Sequence, residues 1–527
     1  MAERRILIDQ IYPGIAPSQI FSQKGQYLGA TGIDPDMPLS DSSSDVKPGG
    51  AIRPVKYAEF SGSNVTSWPV AIITNPKDAK VYAILRNGRL ISYSSALGSE
   101  TLIGTVTGSQ ASGALYYNNY IYIFGTGASH DDVARYGPLN GTPTLTNGVW
   151  KGSTLGTQTA LTDTTYPATR HSVQYLNHHG FVHVDNKAYF FDYINGIGYV
   201  HFIKTTKTTD EGDTDNGSTY GALDLPFGFL PLCGSSYGNN VAIGASQTTD
   251  GTLNQGSSKI FLWDTTADSF YRAIPVPDPI ISSLRYENGV LYIISGTIGG
   301  GVRLSRYVGG DSIQTLDYIP EGHPPLQNAH VSLGMKQVWG SFGTYPANYA
   351  GLMSYGTQSD LFPRGFHNIA VSSLTPTSSN GLITAVANAI QNTQFPQFLM
   401  GGTDGTNYNL DSKSTTYGTH VLRSQRFNVG RPFTVKSVRL PLAAAVAANM
   451  TLTPKLYFDN AINSQAGTTV NSTTYPNSEH VIMMSGDNFS NNVHGENDVF
   501  LELTLSGTAL MVVLLPIEII IDVEGTE

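Results

Sequence analysis

Cysteine is almost absent from this chain: Cys233 is the one thiol in 527 residues. A single thiol excludes an internal disulfide framework and a cysteine-built zinc site. Charge is scarce too. Asp, Glu, Lys and Arg make up 13% of the residues, about half of the roughly 25% usual in soluble chains. The 30 Lys and Arg stand against 40 Asp and Glu, a net charge of −10, and the cations are scattered. Nucleic-acid binding needs a dense basic face, so direct nucleic-acid contact is not expected. Long hydrophobic runs are missing as well. The longest, 509–521, is broken by Pro516 and Glu518, whereas a helix crossing a bilayer takes about 20 apolar residues. It reads as two buried strands meeting at the proline. The opening 1–9 carries two arginines but reaches Asp9 before any apolar stretch of signal-peptide length. No signal peptide and no membrane span are expected.

What is present points to turns and sheets. Hydrophobic residues make up 40% of the chain, and Gly (56) and Pro (28) are plentiful. Such a chain can bury a sizeable core. Residues 1–56 are short apolar groups (Ile6-Leu7-Ile8, Ile11-Tyr12, Ile20-Phe21) separated by Pro and Gly, and 39–48 is linker-like. This segment reads as an extended N-terminal arm, either loose or ordered against a neighbouring subunit.

Residues 57–414 repeat themselves loosely. Strand, Asn/Gly turn and aromatic-rich strand recur at 80–93, 113–125, 182–192 and 283–296. Asn87-Gly88, Asn118-Asn119 and Asn288-Gly289 supply the positive φ angles that two-residue hairpins demand. Units starting near 70, 113, 180, 239, 283, 329 and 366 give about seven repeats, in the size range of propeller blades. The expectation is an all-β chain with a β-propeller of about seven blades; stacked β-sandwiches are the alternative. Residues 415–527 hold about seven further strand-like stretches, expected to form a C-terminal antiparallel, jelly-roll-like β-sandwich. Within them Phe500, Glu502 and Thr504 alternate with Leu501, Leu503 and Leu505, the pattern of a strand with one wet face. The stretch 443–449 reads as a short helical link or a tight packing strip.

Chemistry is harder to find. Histidines gather at His171, His178, His179, His183 and His201, with Asp185 two residues from His183, but metal binding needs three or four groups converging. In the acidic loop 209–220, Asp210, Asp213 and Asp215 are candidate metal ligands spaced as in calcium loops, without the closing glutamate of an EF-hand. Part of that loop, 213–220, looks like the aspartate-box hairpin of sialidase-type propellers, a turn motif without catalytic meaning. No paired carboxylates of a glycosidase, serine elbow or phosphate loop is selected by spacing. Cys233 has no identifiable basic activator and reads as a buried small residue. The 29 tyrosines suit both cross-strand packing and recognition of sugars or proteins. Neither a catalytic residue nor a cofactor is expected.

The arm's 32–38 running into 49–54, and the apolar close 505–521, belong to a layout that resembles propeller-bearing tail proteins of tailed bacteriophages, of nozzle or tip type. The resemblance lies in layout and transfers no functional residue. It implies a non-enzymatic structural virion protein, made in the host cytoplasm and located in the tail. Its partners would be copies of itself and other virion proteins, with contact to a host-surface glycan as a further implication. The alternatives are a lectin-like propeller and a polysaccharide-degrading glycosidase.

Overall fold

At 118–119 and 288–289 the backbone does what the sequence demands. Asn118, Asn119, Asn288 and Gly289 have φ of 50°, 67°, 50° and 82°. Tyr117 then pairs with Tyr120 and Glu287 with Val290 across two-residue turns. The computed structural model describes residues 2–11, 16, 26–35, 51–55, 57–59, 62–75, 78–94, 97–106, 109–127, 131–151, 180–182, 184, 187–194, 196–204, 213–214, 222–248, 256–297, 301–320, 324–342, 350–356, 365–374, 382–388, 398–413, 417–474, 480–489 and 493–525. Among them every element is a strand, apart from the single 3-10 turns Gln327–Ala329 and Gly486–Asn488.

Between 57 and 413 the strands form seven antiparallel sheets, each an up-and-down meander. Their first strands are Pro69–Asn75, Ser109–Tyr117, Gly180–Val182, Phe229–Tyr237, Ile280–Glu287, His330–Leu333 and Leu382–Asn388. Each first strand lies against the next, and the seventh lies against the first. Sheets so placed cover each other's faces, an arrangement of the propeller type. The seventh sheet takes its outermost strand from the other side of the ring in sequence: Tyr57–Glu59 pairs with Tyr408–Lys413, Asp411 opposite Glu59.

A shared irregularity marks these first strands. In five of the seven sheets the register to the second strand slips by one residue, at Val70, Ser112, Leu232, Ser282 and Thr384. In the second, fourth and fifth sheets the extra residue falls six positions before the first residue of the turn (Asn118, Gly238 and Asn288). A bulge leaves ladder groups unmatched and sharpens the strand's twist. Where the extra residue is Ser or Thr, its hydroxyl answers the loss: Ser112 donates to Phe124 O, Ser282 to Ile294 O and Thr384 to Gly401 O, each at 3.3 Å. Each such bond contributes about 1 kcal/mol.

Two of the seven expected starting points need correction. The unit expected near 366 begins at Leu382, because Phe366–Val371 is the outer strand of the sixth sheet. The unit expected near 239 begins at Phe229, since Asn239 sits in that sheet's first turn. Inner and outer strands carry the same apolar alternation, which leaves sequence periodicity unable to separate them.

The C-terminal region contributes two antiparallel sheets. One runs Ala2–Ile8, Ile517–Val523, Phe433–Pro441, Val481–Ser485; the other runs Gly29–Ala30, Thr419–Arg423, Asp498–Gly507, Met450–Phe458, Asn463–Ala466. Their inward side chains meet in one core that includes Ile6, Phe433, Leu440, Leu456, Leu503 and Ile519. Residues 509–521 form the strands Val513–Leu514 and Ile517 onward. The stretch 443–449 is non-helical and sends Val446 into the core.

The expected extended arm over 1–56 is corrected here: its described parts pair with this chain's own C-terminal strands. Ile6 lies opposite Ile519, Gly29 opposite Arg423 and Ala51 opposite Leu514. The alternating pattern of Ile6 and Ile8 buries them against the strand 517–523, which explains apolar anchors on a segment so rich in turns. The wet face expected on 498–507 is corrected as well. Phe500 and Glu502 are buried, with Ala16 and Leu28 of the arm packed on Phe500.

Candidate functional site

The centre of the ring is the natural place to seek a site. The segment Pro324-Pro-Leu-Gln-Asn-Ala329 enters it and is almost wholly buried. Its 3-10 turn touches the first strands of the first, fourth, fifth and seventh sheets. Gln327 Nε2 donates to Gly234 O and Leu284 O, each at 3.1 Å, while its Oε1 accepts from Leu284 N at 3.0 Å and Ser283 Oγ at 3.1 Å. Asn328 Nδ2 reaches across to Val70 O at 3.0 Å. A turn bonded to three sheets plugs the axis at this level.

Beside the plug lies a group that resembles catalytic machinery. His330 Nδ1 is 2.8 Å from Ser283 Oγ, and its Nε2 is 3.0 Å from Gln337 Oε1. The single Ser283 hydroxyl proton is shared between Gln327 Oε1 and His330 Nδ1; when it points to Nδ1, with Nε2–H donating to the Gln337 oxygen, the order is that of a nucleophile, base and orienting group. Ser332 Oγ donates to the same Gln337 oxygen at 2.7 Å. Arg285 donates from Nε to His330 O at 2.9 Å and from its terminal nitrogen to Gln327 O at 2.8 Å. Burial, and then the Arg285 charge, holds His330 well below the usual imidazole range, so it is neutral. Burial pulls the Arg285 guanidinium down to about 10, which leaves it charged at neutral pH. Ser283, His330 and Gln337 are each 0% exposed. No substrate atom can approach the serine, and the group works as a polar staple joining the fifth and sixth sheets.

The sequence candidates fare unevenly. Asp213 belongs to the two-residue strand Asp213–Thr214, opposite Lys204. Asp210 and Asp215 lie outside the described residues, as do His171, His178, His179, His183 and Asp185. His201 is buried with its ring stacked on Phe190 at 5.1 Å. Among the described residues no three His, Cys, Asp or Glu side chains are placed to hold a metal ion. Cys233 is buried, and burial pushes its thiol up, out of the range of a reactive thiolate.

A second constellation is open to solvent. Tyr237 and Tyr286 ring centroids are 5.5 Å apart at 77°, and Tyr237 and Tyr307 are 5.5 Å apart at 42°. Tyr271 stands beside them at 54% exposure. All lie at the ends of strands 229–237, 272–276, 280–287 and 301–307, at one edge of the fourth and fifth sheets. Arg272 and Asp311 form an ion pair across the two sheets. The sequence could not have selected these four from 29 tyrosines, because they meet only when two neighbouring sheets bring their turns together.

The third feature joins ring to C-terminal sheets. Tyr27 Oη and His367 Nδ1 are 3.1 Å apart, Gly32 N donates to Asn368 Oδ1 at 3.1 Å, and Ile33 N donates to Asn368 O at 2.9 Å. Asp34 and Lys336 form an ion pair of 2.9 Å, with side chains 9% and 2% exposed. Gly32 takes φ +62°, and a Cβ there would fall 2.6 Å from Val55 O.

No family model and no curated protein matches the sequence. Among solved structures, the chain is similar to the Pan2 WD40 domain of Neurospora crassa, at 10% identity and a TM-score of 0.39, covering 68% of this chain and 94% of that one. It is also similar to the computationally designed Ika8 protein, at 10% identity and a TM-score of 0.37, covering 67% and 98%. Similarity at this level adds nothing about function.

Proposed function

We propose that this chain is a structural protein of a tailed bacteriophage tail: a seven-bladed propeller fused to a C-terminal sandwich that assembles with copies of itself and other virion proteins. One observation carries the structural part of this reading. Residues 26–35 and 51–55 together bond to both the ring and the C-terminal sheets, with a buried ion pair in the joint. These contacts tie the ring to the C-terminal sheets, as a structural subunit requires. Cyclic contact of the seven first strands supports the blade count, and the shared core of the two terminal sheets supports the sandwich. The placement in a phage tail rests on the layout of arm, ring and terminal domain.

Native mass spectrometry of the purified chain, with electron microscopy of any assembly, tests this. A closed ring or stacked oligomer of defined copy number is expected. A chain that stays monomeric at tens of micromolar, alone and with particle extracts, refutes it. The Tyr237–Tyr271–Tyr286–Tyr307 edge favours a second, compatible role in contacting a host-surface glycan.

A further inference from the structure

The exposed tyrosine edge has the chemistry of a particular ligand. Tyr237, Tyr286 and Tyr307 form the floor: Tyr307 is buried, its hydroxyl donates to Gly310 O at 3.1 Å, and the other two rings lean on each other. Tyr271 rises from this floor with more than half its surface in solvent. Arg272 and Asp311 are paired beside it, and the Asp311 side chain is 100% exposed. The surrounding turns are glycines with positive φ: Gly238, Gly289, Gly309 and Gly310. A Cβ added at Gly289 or Gly310 would meet nothing within 4 Å, so these two turns stand open. Burial pushes the Tyr237 and Tyr271 hydroxyls up, which keeps both as protonated donors at neutral pH.

Each element answers one part of a sugar ring. A pyranose has an apolar face of C–H bonds, which lies on an aromatic ring, and a rim of hydroxyls that both donate and accept. The guanidinium offers only donors and the carboxylate only acceptors, so the pair together serves adjacent hydroxyls. The two charges offset each other, so the pair itself favours an ionised ligand of neither sign.

We propose that this edge of the fourth and fifth sheets binds a neutral pyranose unit of a surface polysaccharide, its apolar face on Tyr271 and its hydroxyls between Arg272 and Asp311. The site deepens the reading of a particle component that meets a host surface, and it rests on that reading for its biological meaning.

The test uses the full chain on an array of neutral hexose and N-acetylhexosamine oligosaccharides from bacterial surfaces, with titration of the best binder followed by saturation-transfer NMR. Saturable binding is expected, with Tyr271 and Tyr237 ring protons perturbed. Tyr271→Ala and Asp311→Asn should each weaken it about tenfold or more. Phe227→Ala is the control: that ring is 78% exposed but lies at the opposite edge, before the first strand of the fourth sheet, and its loss should leave binding unchanged. The proposal falls if no neutral sugar binds saturably, if both site variants bind like the parent, or if Phe227→Ala weakens binding equally. Asp311→Asn, at a fully exposed side chain, keeps the test valid should Tyr271→Ala fail to fold. A chain that assembles but binds no sugar sinks this site alone; one that binds sugar yet never assembles sinks the structural role alone.

Discussion

Replacing Lys336 by Met probes the joint between ring and C-terminal sheets. The ammonium is 2% exposed and 2.9 Å from an Asp34 oxygen that is itself nearly sealed. Removing the cation leaves a carboxylate in a low-dielectric space, and breaking a buried pair from one side costs about 3–5 kcal/mol. Removing both charges is different in kind: Asp34→Leu with Lys336→Met exchanges the pair for apolar contact and should fall within about 1 kcal/mol of the parent. The chain carries its own probe for the measurement. All four tryptophans (Trp68, Trp150, Trp263 and Trp339) lie within 57–414, so their fluorescence follows the ring, while far-UV circular dichroism follows every sheet. Urea unfolding of the parent should give coincident curves from the two signals. Lys336→Met should separate them and lower the midpoint, and the double variant should bring them back together. Single variants that each cost less than about 1 kcal/mol, the value of a solvated surface pair, would refute the claim that this contact welds the two parts.

Three further outcomes follow from the same geometry. Gly32→Ala places a Cβ against Val55 O and His420 at φ +62°; a cost of about 1–3 kcal/mol is expected from the left-handed backbone alone, and an unchanged urea midpoint contradicts it. His330, with its folded pKa below the unfolded 6.5, binds its proton more readily when unfolded. Its contribution is therefore complete above pH 6.5 and is lost as pH falls below that value, by up to about 1.4 kcal/mol per pH unit. Midpoints at pH 7.5, 6 and 5 should fall less in His330→Gln than in the parent, and parallel losses would show that His330 is not the sensor. Cys233 should react with an aromatic disulfide reagent only as fast as the chain unfolds, because the thiol is buried and held protonated; stoichiometric labelling within seconds in native buffer would overturn that.

Hairpins were the legible part of this fold. Asn118-Asn119 and Asn288-Gly289 announce themselves because few residues accept two consecutive positive φ angles. The strand 433–441 and its neighbours were visible through alternation. Legibility failed wherever partners lie far apart in the chain. The pairing of Tyr57–Glu59 with 408–413 spans some 350 positions, and nothing local marks a three-residue strand as the one that completes a sheet. The arm misled for the same reason: Ile6 and Ile8 show that something covers them, but not whether it is this chain or another. The axial plug left no local signal. Gln327 and His330 carry no pattern, since their meaning depends on carbonyls supplied by other sheets.

The strand at 57–59 also sets an order of events during synthesis. It must wait on the ribosome until residues 408–413 have emerged, and 2–8 must wait for 517–523. Neither half of the molecule can finish before nearly the whole polypeptide is made, and pairings so distant in sequence form slowly. A nascent chain stalled anywhere short of its last strand therefore carries unsatisfied β edges at its leading end, and these invite pairing with a sister chain on the same message. Production at low temperature or with slowed initiation should favour the correctly sewn product for this reason.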